Sequence, residues 1–179
     1  MIRRLRDEAI LLLDRRGAIL DVARDVTRVL REQGIDAAVI GGIAVVLHGH
    51  VRTTVDVDVL VPAADRRLAE VLKAAGYSFS RAKREFSKDR VPVHLVPMEQ
   101  LRTAPRTFVE IDGVRTVGLA DLIGMKLELG LRDPLRAQDL ADVIGLIRAR
   151  RLTPTFAAKL DKSLRPDFRK LARAIRQSR

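Results

Sequence analysis

Apolar residues change their spacing along the chain from helical to strand-like and back, which predicts a mixed α/β fold. Between residues 18 and 34 they recur every three or four positions, which predicts an amphipathic helix ending near Gly34. An apolar cluster over residues 10–13 extends the helical pattern toward the N-terminus. We therefore expect helices across residues 1–34.

A strand-like alternation follows in the middle of the chain. The segment TVDVDVLV, residues 54–61, places its valines on one side and Asp56, Asp58 and Leu60 on the other. Shorter strand patterns precede it and recur between residues 77 and 118, where Asp112-Gly113 has the composition of a hairpin turn. A small sheet is therefore expected, with short helices between its strands.

Helical patterns return over residues 119–131 and 134–151, and an amphipathic basic helix entered near Pro166 closes the chain. The predicted fold class is α/β (α+β), a small mixed β-sheet flanked by helices. The length of 179 residues suits one compact domain. Within it we distinguish the N-terminal helices, an α/β core over residues 35–150 and a basic helical tail over residues 151–179.

Composition excludes several classes of protein. The absence of Cys excludes disulfides, thiolate zinc sites and a thiol nucleophile. No apolar segment approaches the roughly 18 residues of a membrane span. The apolar run near the N-terminus is too short for a signal peptide, and acidic residues interrupt it. We expect a soluble cytoplasmic protein without a membrane partner.

Positive charge is concentrated at the C-terminus. Residues 145–179 hold eleven basic and two acidic side chains, whereas residues 35–144 hold fifteen of each. A local excess of this kind predicts a docking surface for a polyanion, and RNA is the expected one. The alternatives are a solvated helix or a dock for an acidic protein. The basic side chains on the outer side of the last helix are Arg165, Arg169, Lys170, Arg173 and Arg176.

Two carboxylates lie in the apolar, β-branched segment of the central strand. Asp56 and Asp58 face the same way, about 6–7 Å apart at two strand rises. At that separation they repel by about 2–3 kcal/mol at an effective dielectric of about 20. A divalent cation relieves this repulsion, and hard carboxylate oxygens suit Mg²⁺. The alternative is a solvated pair on an edge strand.

The neighbouring residues favour a phosphate ligand beside these acids. Gly41-Gly42 closes one strand and opens a helix, where free backbone N–H groups bind phosphate. Arg52, Thr53 and Thr54 lead directly into the acid pair and add one cation and two hydroxyls. Such a combination is typical of a site for a nucleoside triphosphate and Mg²⁺ or Mn²⁺.

The stretch GGIAVVLHGHVRTTVDVDVLV resembles the signature of the nucleotidyltransferase superfamily, which has the DNA polymerase β-like fold. It looks most like the AbiEii and minimal nucleotidyltransferase branch of toxin–antitoxin systems. In that branch a glycine turn precedes an R-x-T-x-D-h-D strand, where h is a hydrophobic residue. The resemblance implies a nucleotidyltransferase fold and metal binding by Asp56 and Asp58. It also implies that an NTP is held with the help of Gly41, Gly42, Arg52 and Thr54.

The resemblance extends to about residue 150. The segment LADLIGMKLELGLRDPLRAQDLADVIGLI is similar to the second half of the branch, where a lysine-bearing helix precedes an R-x-x-D-x-x-D helix. By this resemblance Lys126 contacts nucleotide phosphate, and Asp139 lies near the acceptor and assists its hydroxyl. Asp142 is expected to be structural. Without the resemblance, Lys126 is a solvated helix lysine and both acids are surface ion-pair partners.

One position departs from the family pattern. A later strand normally supplies a third carboxylate, and the matching strand here, RVPVHLVP, has His94 at that position. Neutral imidazole is a poor Mg²⁺ ligand but is acceptable to Mn²⁺ or Zn²⁺. The alternative for His94 is an ordinary hydrogen-bonded strand histidine that binds no metal. Three interpretations remain: an active transferase that uses Asp139 as an additional acid, a degenerate nucleotide- or RNA-binding module, and one member of a toxin–antitoxin pair completed by a cognate protein.

Charge also bears on the acceptor. Members of the superfamily modify RNA ends, proteins or aminoglycosides. A chain of net charge +11 is a poor match for polycationic aminoglycosides, whereas an RNA 3′ end such as that of tRNA suits it. We therefore expect transfer of a nucleoside monophosphate from an NTP to an RNA hydroxyl.

Overall fold

The structure is a computed structural model, and it describes residues 17–177. The predicted apolar cluster at residues 10–13 lies outside these residues. The helices are α1 (Ala18–Glu32), α2 (Gly41–Leu47), α3 (Arg66–Ala74), α4 (Leu119–Arg132), α5 (Ala137–Ala149) and α6 (Arg165–Gln177). The strands are β1 (Ala38–Ile40), β2 (Val57–Val61), β3 (Ser78–Ser80), β4 (Glu85–Lys88), β5 (Val91–Pro97), β6 (Phe108–Ile111) and β7 (Val114–Val117).

The seven strands form one mixed sheet in the order β3-β4-β5-β2-β1-β7-β6. The pairs β2–β5 and β1–β7 are parallel, and the remaining neighbours are antiparallel. Both faces of the sheet are covered, so the predicted mixed α/β fold is confirmed. Because β2 lies in the middle of the sheet, Asp58 does not belong to an edge strand, and that alternative is wrong.

Each face of the sheet packs on its own apolar core. On one face, α1 and α3 bury their apolar sides against Val57, Val59 and Val93. On the other, α4, α5 and α6 pack over Ala38 and Leu60 together with their neighbours on β1 and β7. The alternation along β2 thus places its valines and Leu60 on opposite faces, as predicted.

Two local details refine the predictions. The strand predicted over residues 54–61 begins only at Val57, so Val55 lies outside it and is 52% exposed. The predicted hairpin turn is present between β6 and β7. Asp112 and Gly113 both have positive φ, 52° and 77°, the backbone conformation that a two-residue hairpin turn requires. In the described part of the chain, no helix is both long and apolar enough to cross a membrane.

Candidate active site

The parallel pairing of β2 with β5 brings the acid pair together with His94, the residue that differs from the family pattern. Asp58 is the register partner of His94 on the adjacent strand. The Nδ1 atom of His94 lies 3.4 Å from an oxygen of Asp56 and 3.4 Å from an oxygen of Asp58. Each of the three side chains offers one ligand atom, and these atoms lie within 4.8 Å of one another. His94 therefore lies at the position where a third carboxylate was expected.

A fourth side chain, which the sequence did not single out, joins this cluster. Glu85 on β4 places Oε2 3.1 Å from Nε2 of His94. The antiparallel register pairs Phe86 with Val93, so the preceding residue of β4 faces the following residue of β5. The strand patterns of REFSK and RVPVHLVP were visible in the sequence. Their register was not, and so Glu85 escaped notice.

The electrostatics of the cluster suit a cation. Burial and then the charge of Asp56 raise the pKa of Asp58 above its ordinary value. For His94, partial burial lowers the pKa, but the hydrogen bond with Glu85 and the charges of Asp56 and Asp58 outweigh burial, and the net shift is upward. Neighbouring negative charge contributes to the upward shift of both pKa values, and a proton or a metal ion relieves it.

Both glycines are required because neighbouring side chains approach their backbone closely. Gly41 has a positive φ of 65°, and a Cβ atom there would collide with the carboxylate of Asp58. A Cβ on Gly42 would lie 2.5 Å from Oγ1 of Thr54 and 2.7 Å from a guanidinium nitrogen of Arg52. The backbone at the start of α2 is therefore open toward these side chains.

The residues that precede the acid pair are held in different ways. Thr54 donates a hydrogen bond from Oγ1 to Asp56, at 3.1 Å. Arg52 donates to the carbonyl oxygen of Thr53, at 2.7 Å, and its Nε lies 3.0 Å from an oxygen of Asp142. The ion-pair partner of Arg52 is therefore Asp142.

Lys126 is buried, only 6% exposed, so it is not the solvated helix lysine of the alternative interpretation. Its Nζ lies 2.7 Å from Asp139 and 2.8 Å from Asp142, and the second oxygen of Asp139 accepts from Nε of Arg136 at 2.7 Å. Asp142 is fully buried. With Arg52 these residues form a chain of alternating charges, three cations and two carboxylates, which we call the ion-pair network.

One open cleft collects most of the predicted site residues. It has a volume of about 730 Å³ and is lined by the glycine pair, the acid pair and much of the ion-pair network. Those predicted residues that line it are Gly41, Gly42, Arg52, Thr54, Asp56, Asp58, Lys126 and Asp139. His94 contacts both acids but is not among the lining residues.

The basic side chains predicted for the tail lie on α6, away from the apolar contacts that Phe168, Ala172 and Ile175 make with the core. Arg169, Lys170, Arg173 and Arg176 are exposed. Arg165 is half-buried and donates to the backbone carbonyls of residues 158 and 160, so part of its guanidinium is engaged within the protein. Tail recognition of RNA remains a prediction.

The donor set fits a divalent cation. One carboxylate on β2, a second immediately before it and an imidazole on the adjacent β5 converge, and each is only partly buried. Carboxylates suit Mg²⁺ and Mn²⁺, and the imidazole favours Mn²⁺ over Mg²⁺.

Comparison with known proteins defines the class to which this fold and this cleft belong. The family model described as "Nucleotidyltransferase of unknown function (DUF6036)" matches residues 17–147, and the chain belongs to that family. A search of functionally curated proteins gave no match.

Solved structures of nucleotidyltransferases share the fold. ANT(2")-Ia in complex with adenylyl-2"-tobramycin is 16% identical, with a TM-score of 0.56 over 84% of this chain and 96% of that one. An antigenic nucleotidyltransferase-like protein from Paracoccidioides brasiliensis is 21% identical, with a TM-score of 0.52 over 72% of this chain and 74% of that one. At these identities the likeness demonstrates the fold alone.

Proposed function

We propose that the protein is a metal-dependent nucleotidyltransferase, which transfers a nucleoside monophosphate from an NTP to an acceptor hydroxyl. The observation that supports this proposal is the convergence of Asp56, Asp58 and His94 beside Gly41, with both acids and Gly41 lining an open cleft. The same cleft is lined by the cationic side chains of Arg52 and Lys126.

Asp56, Asp58 and His94 hold the divalent cation, Mg²⁺ or Mn²⁺. When bound there, the cation neutralises charge on the phosphates and on the leaving pyrophosphate. Glu85 positions the imidazole through its 3.1 Å contact, so that Nδ1 faces the acids.

The triphosphate lies against the open backbone of Gly41 and Gly42, with Arg52, Thr54 and Lys126 supplying positive charge and a hydroxyl donor. In the transfer, the acceptor oxygen forms a bond to the α-phosphorus, and the bond from that phosphorus to the bridging oxygen breaks. Pyrophosphate leaves with the electron pair, and the hydroxyl proton passes to a base. Asp139 is the proposed base, which requires that one of its two ion pairs opens when the acceptor binds.

The proposed acceptor is RNA, with the 3′ end of tRNA as the first candidate and α6 as an electrostatic dock. An aminoglycoside acceptor, present as an adenylyl adduct in the ANT(2")-Ia complex, is disfavoured by the net charge of +11. A role as the toxin of a toxin–antitoxin pair in the AbiEii branch, with a cognate antitoxin, belongs to the same proposal.

Label transfer tests the proposal directly. The protein is incubated with each α-labelled NTP, Mg²⁺ or Mn²⁺ and total tRNA, and label in the RNA is measured. Transfer should be lost in Asp56→Asn and Asp58→Asn but kept in the control Asp36→Asn, whose carboxylate pairs with Arg115 away from the cleft. Transfer that persists in both cleft variants would refute the assignment.

A catalytically degenerate nucleotide- or RNA-binding module is the second candidate, and the contact of His94 with three carboxylates favours it. A histidine there offers one neutral or cationic group where a third acid would add negative charge. In this case NTP and RNA bind without label transfer for any NTP or metal, and binding is unchanged in Asp58→Ala.

A further inference from the structure

The cleft has a second lobe on the far side of Lys126. This lobe has a volume of about 520 Å³ and shares Gly41, Asp58, Lys126, Arg136 and Asp139 with the first. The rest of its wall is mainly apolar, from Val96, Leu101, Met125 and their neighbours, and its remaining polar members are Gln100, Arg132 and Asp133. Two lobes that meet at Asp58 suit two substrates, and the apolar lobe suits a group that is flat and uncharged over most of its surface.

A third cavity lies on the opposite face of the sheet from the second lobe, on the side covered by α3. Its volume is about 370 Å³, and Gln100 lines both this cavity and the second lobe. Its walls include Phe79 and Phe86, whose rings lie 4.8 Å apart at an angle of 49°, together with Leu95 and Pro97. We call it the Phe79 cavity. It lies at the β3–β4 end of the sheet, over β4 and the C-terminal half of β5 and beside α3.

Phe79 is the unusual member of this cavity. It is 44% exposed, and it is the one aromatic among the exposed large apolar side chains of residues 17–177. Aromatic residues make up only 3% of the chain, and one of these few rings lies exposed at the cavity instead of in a core. A ring held at its inner side by Phe86 and open at its outer side is a stacking platform.

Positive charge surrounds the platform. Lys73 and Arg84 line the cavity, and the turn between β3 and β4 adds Arg81 and Lys83. Of these, Lys83 pairs with Glu85 at 3.5 Å, whereas Lys73, Arg81 and Arg84 form no ion pair within the described residues. The one carboxylate in the wall, Asp65, accepts a hydrogen bond from the first turn of α3. An aromatic platform among unpaired cations suits a planar ligand on an anionic backbone.

We propose that the acceptor is a single-stranded polynucleotide, whose terminal nucleotide lies in the second lobe beside Asp58. From there the strand passes round the end of β5 at Gln100 to the other face of the sheet, where an upstream base stacks on Phe79 while Lys73 and Arg84 neutralise its phosphates. The proposal rests on the proposed function and assigns the acceptor a path separate from α6. Pairing of β3 with a second copy of the chain is disfavoured, because it would bring two such cationic clusters together.

Binding of a 5′-labelled, unstructured 12-nucleotide RNA of uridines, followed by fluorescence anisotropy, tests the platform. Phe79→Ala should weaken binding about tenfold, the order of one base stack. Phe79→Tyr should bind like the wild type, and Phe79→Leu, which keeps apolar packing on Phe86, should bind like Phe79→Ala. The matched control is Val109→Ala, an exposed apolar residue on β6 at the other edge of the sheet. Unchanged affinity in Phe79→Ala and Phe79→Leu overturns the proposal.

Salt dependence tests the cations. The double variant Lys73→Gln, Arg84→Gln should reduce the slope of log K against log salt by about 1.4, at about 0.7 for each phosphate contact on a single strand. The control is Arg31→Gln on α1, which pairs with Glu110 near the opposite edge. An unchanged slope excludes these cations as phosphate ligands.

Two further measurements separate the other outcomes. Binding of NTP with Mn²⁺, measured without RNA, tests the nucleotide site that the proposed function requires, so failure of that site and absence of the Phe79 effect are distinguishable. Light scattering tests self-association: if Phe79→Ala converts a dimer to a monomer and leaves RNA affinity unchanged, Phe79 is a protein interface and the acceptor path is wrong.

Discussion

Neutralising Asp142, the fully buried carboxylate of the ion-pair network, should destabilise the protein substantially. Asp142 is completely buried and lies 2.8 Å from Nζ of Lys126 and 3.0 Å from Nε of Arg52. Gln138 donates a hydrogen bond to its Oδ1, also at 3.0 Å. Asp142→Asn keeps the shape of the side chain but leaves three cations with one carboxylate, that of Asp139.

Removing one partner of a buried ion pair costs about 3–5 kcal/mol. The lower end of this range applies here, because Lys126 still has its ion pair with Asp139 and the side chain of Arg52 is 22% exposed to water. We expect a loss of about 3 kcal/mol in the free energy of unfolding. For a chain of this length that corresponds to a fall of about 6–12 °C in Tm.

Urea unfolding followed by circular dichroism measures the change, with the slope m checked for constancy. The control is Asp36→Asn, which removes the exposed pair with Arg115 and should cost less than about 1 kcal/mol. A loss below about 1 kcal/mol in Asp142→Asn would refute the reasoning, since the carboxylate would then not be compensating buried charge. The variant should also bind NTP more weakly, because Arg52 is no longer held at the cleft.

Three further predictions concern single residues. Gly41→Ala should abolish Mn²⁺ binding measured by electron paramagnetic resonance, because its Cβ displaces the carboxylate of Asp58; retained binding would show that α2 can shift. His94→Asp should narrow the preference for Mn²⁺ over Mg²⁺ in calorimetric titrations, because oxygen replaces nitrogen among the ligands; an unchanged ratio would exclude His94 as a ligand. The third prediction concerns Asp25, away from the cleft. Burial alone would raise the pKa of Asp25, but the hydrogen bonds from Lys88 and its other partners outweigh burial, and the net pKa shift is downward. Because the pKa is lower in the folded state, ionised Asp25 stabilises the protein at pH values above the ordinary pKa of 3.8, and this contribution is lost as the pH falls through the folded pKa. The difference in the free energy of unfolding between wild type and Asp25→Asn, measured in urea, should therefore disappear at low pH. A difference that does not change with pH would contradict this.

Local pattern was sufficient for several features of the molecule. Helical spacing marked α1, alternation marked β2, and the Asp112-Gly113 pair marked the hairpin, because each depends on residues close in sequence. The same alternation placed Asp56 and Asp58 on one side, and the order of glycines and acids indicated the nucleotidyltransferase fold.

Tertiary structure alone decided which distant groups meet these acids. His94 faces Asp58 because β2 pairs in parallel with β5, and Glu85 faces His94 because β4 pairs with β5 in one register. No local periodicity specifies either register. For the same reason, the inward orientation of Lys126 and its partnership with Asp142 became visible only when α4 packed against α5. Sequence determined which side of each element is apolar, and packing determined the partner of each charge.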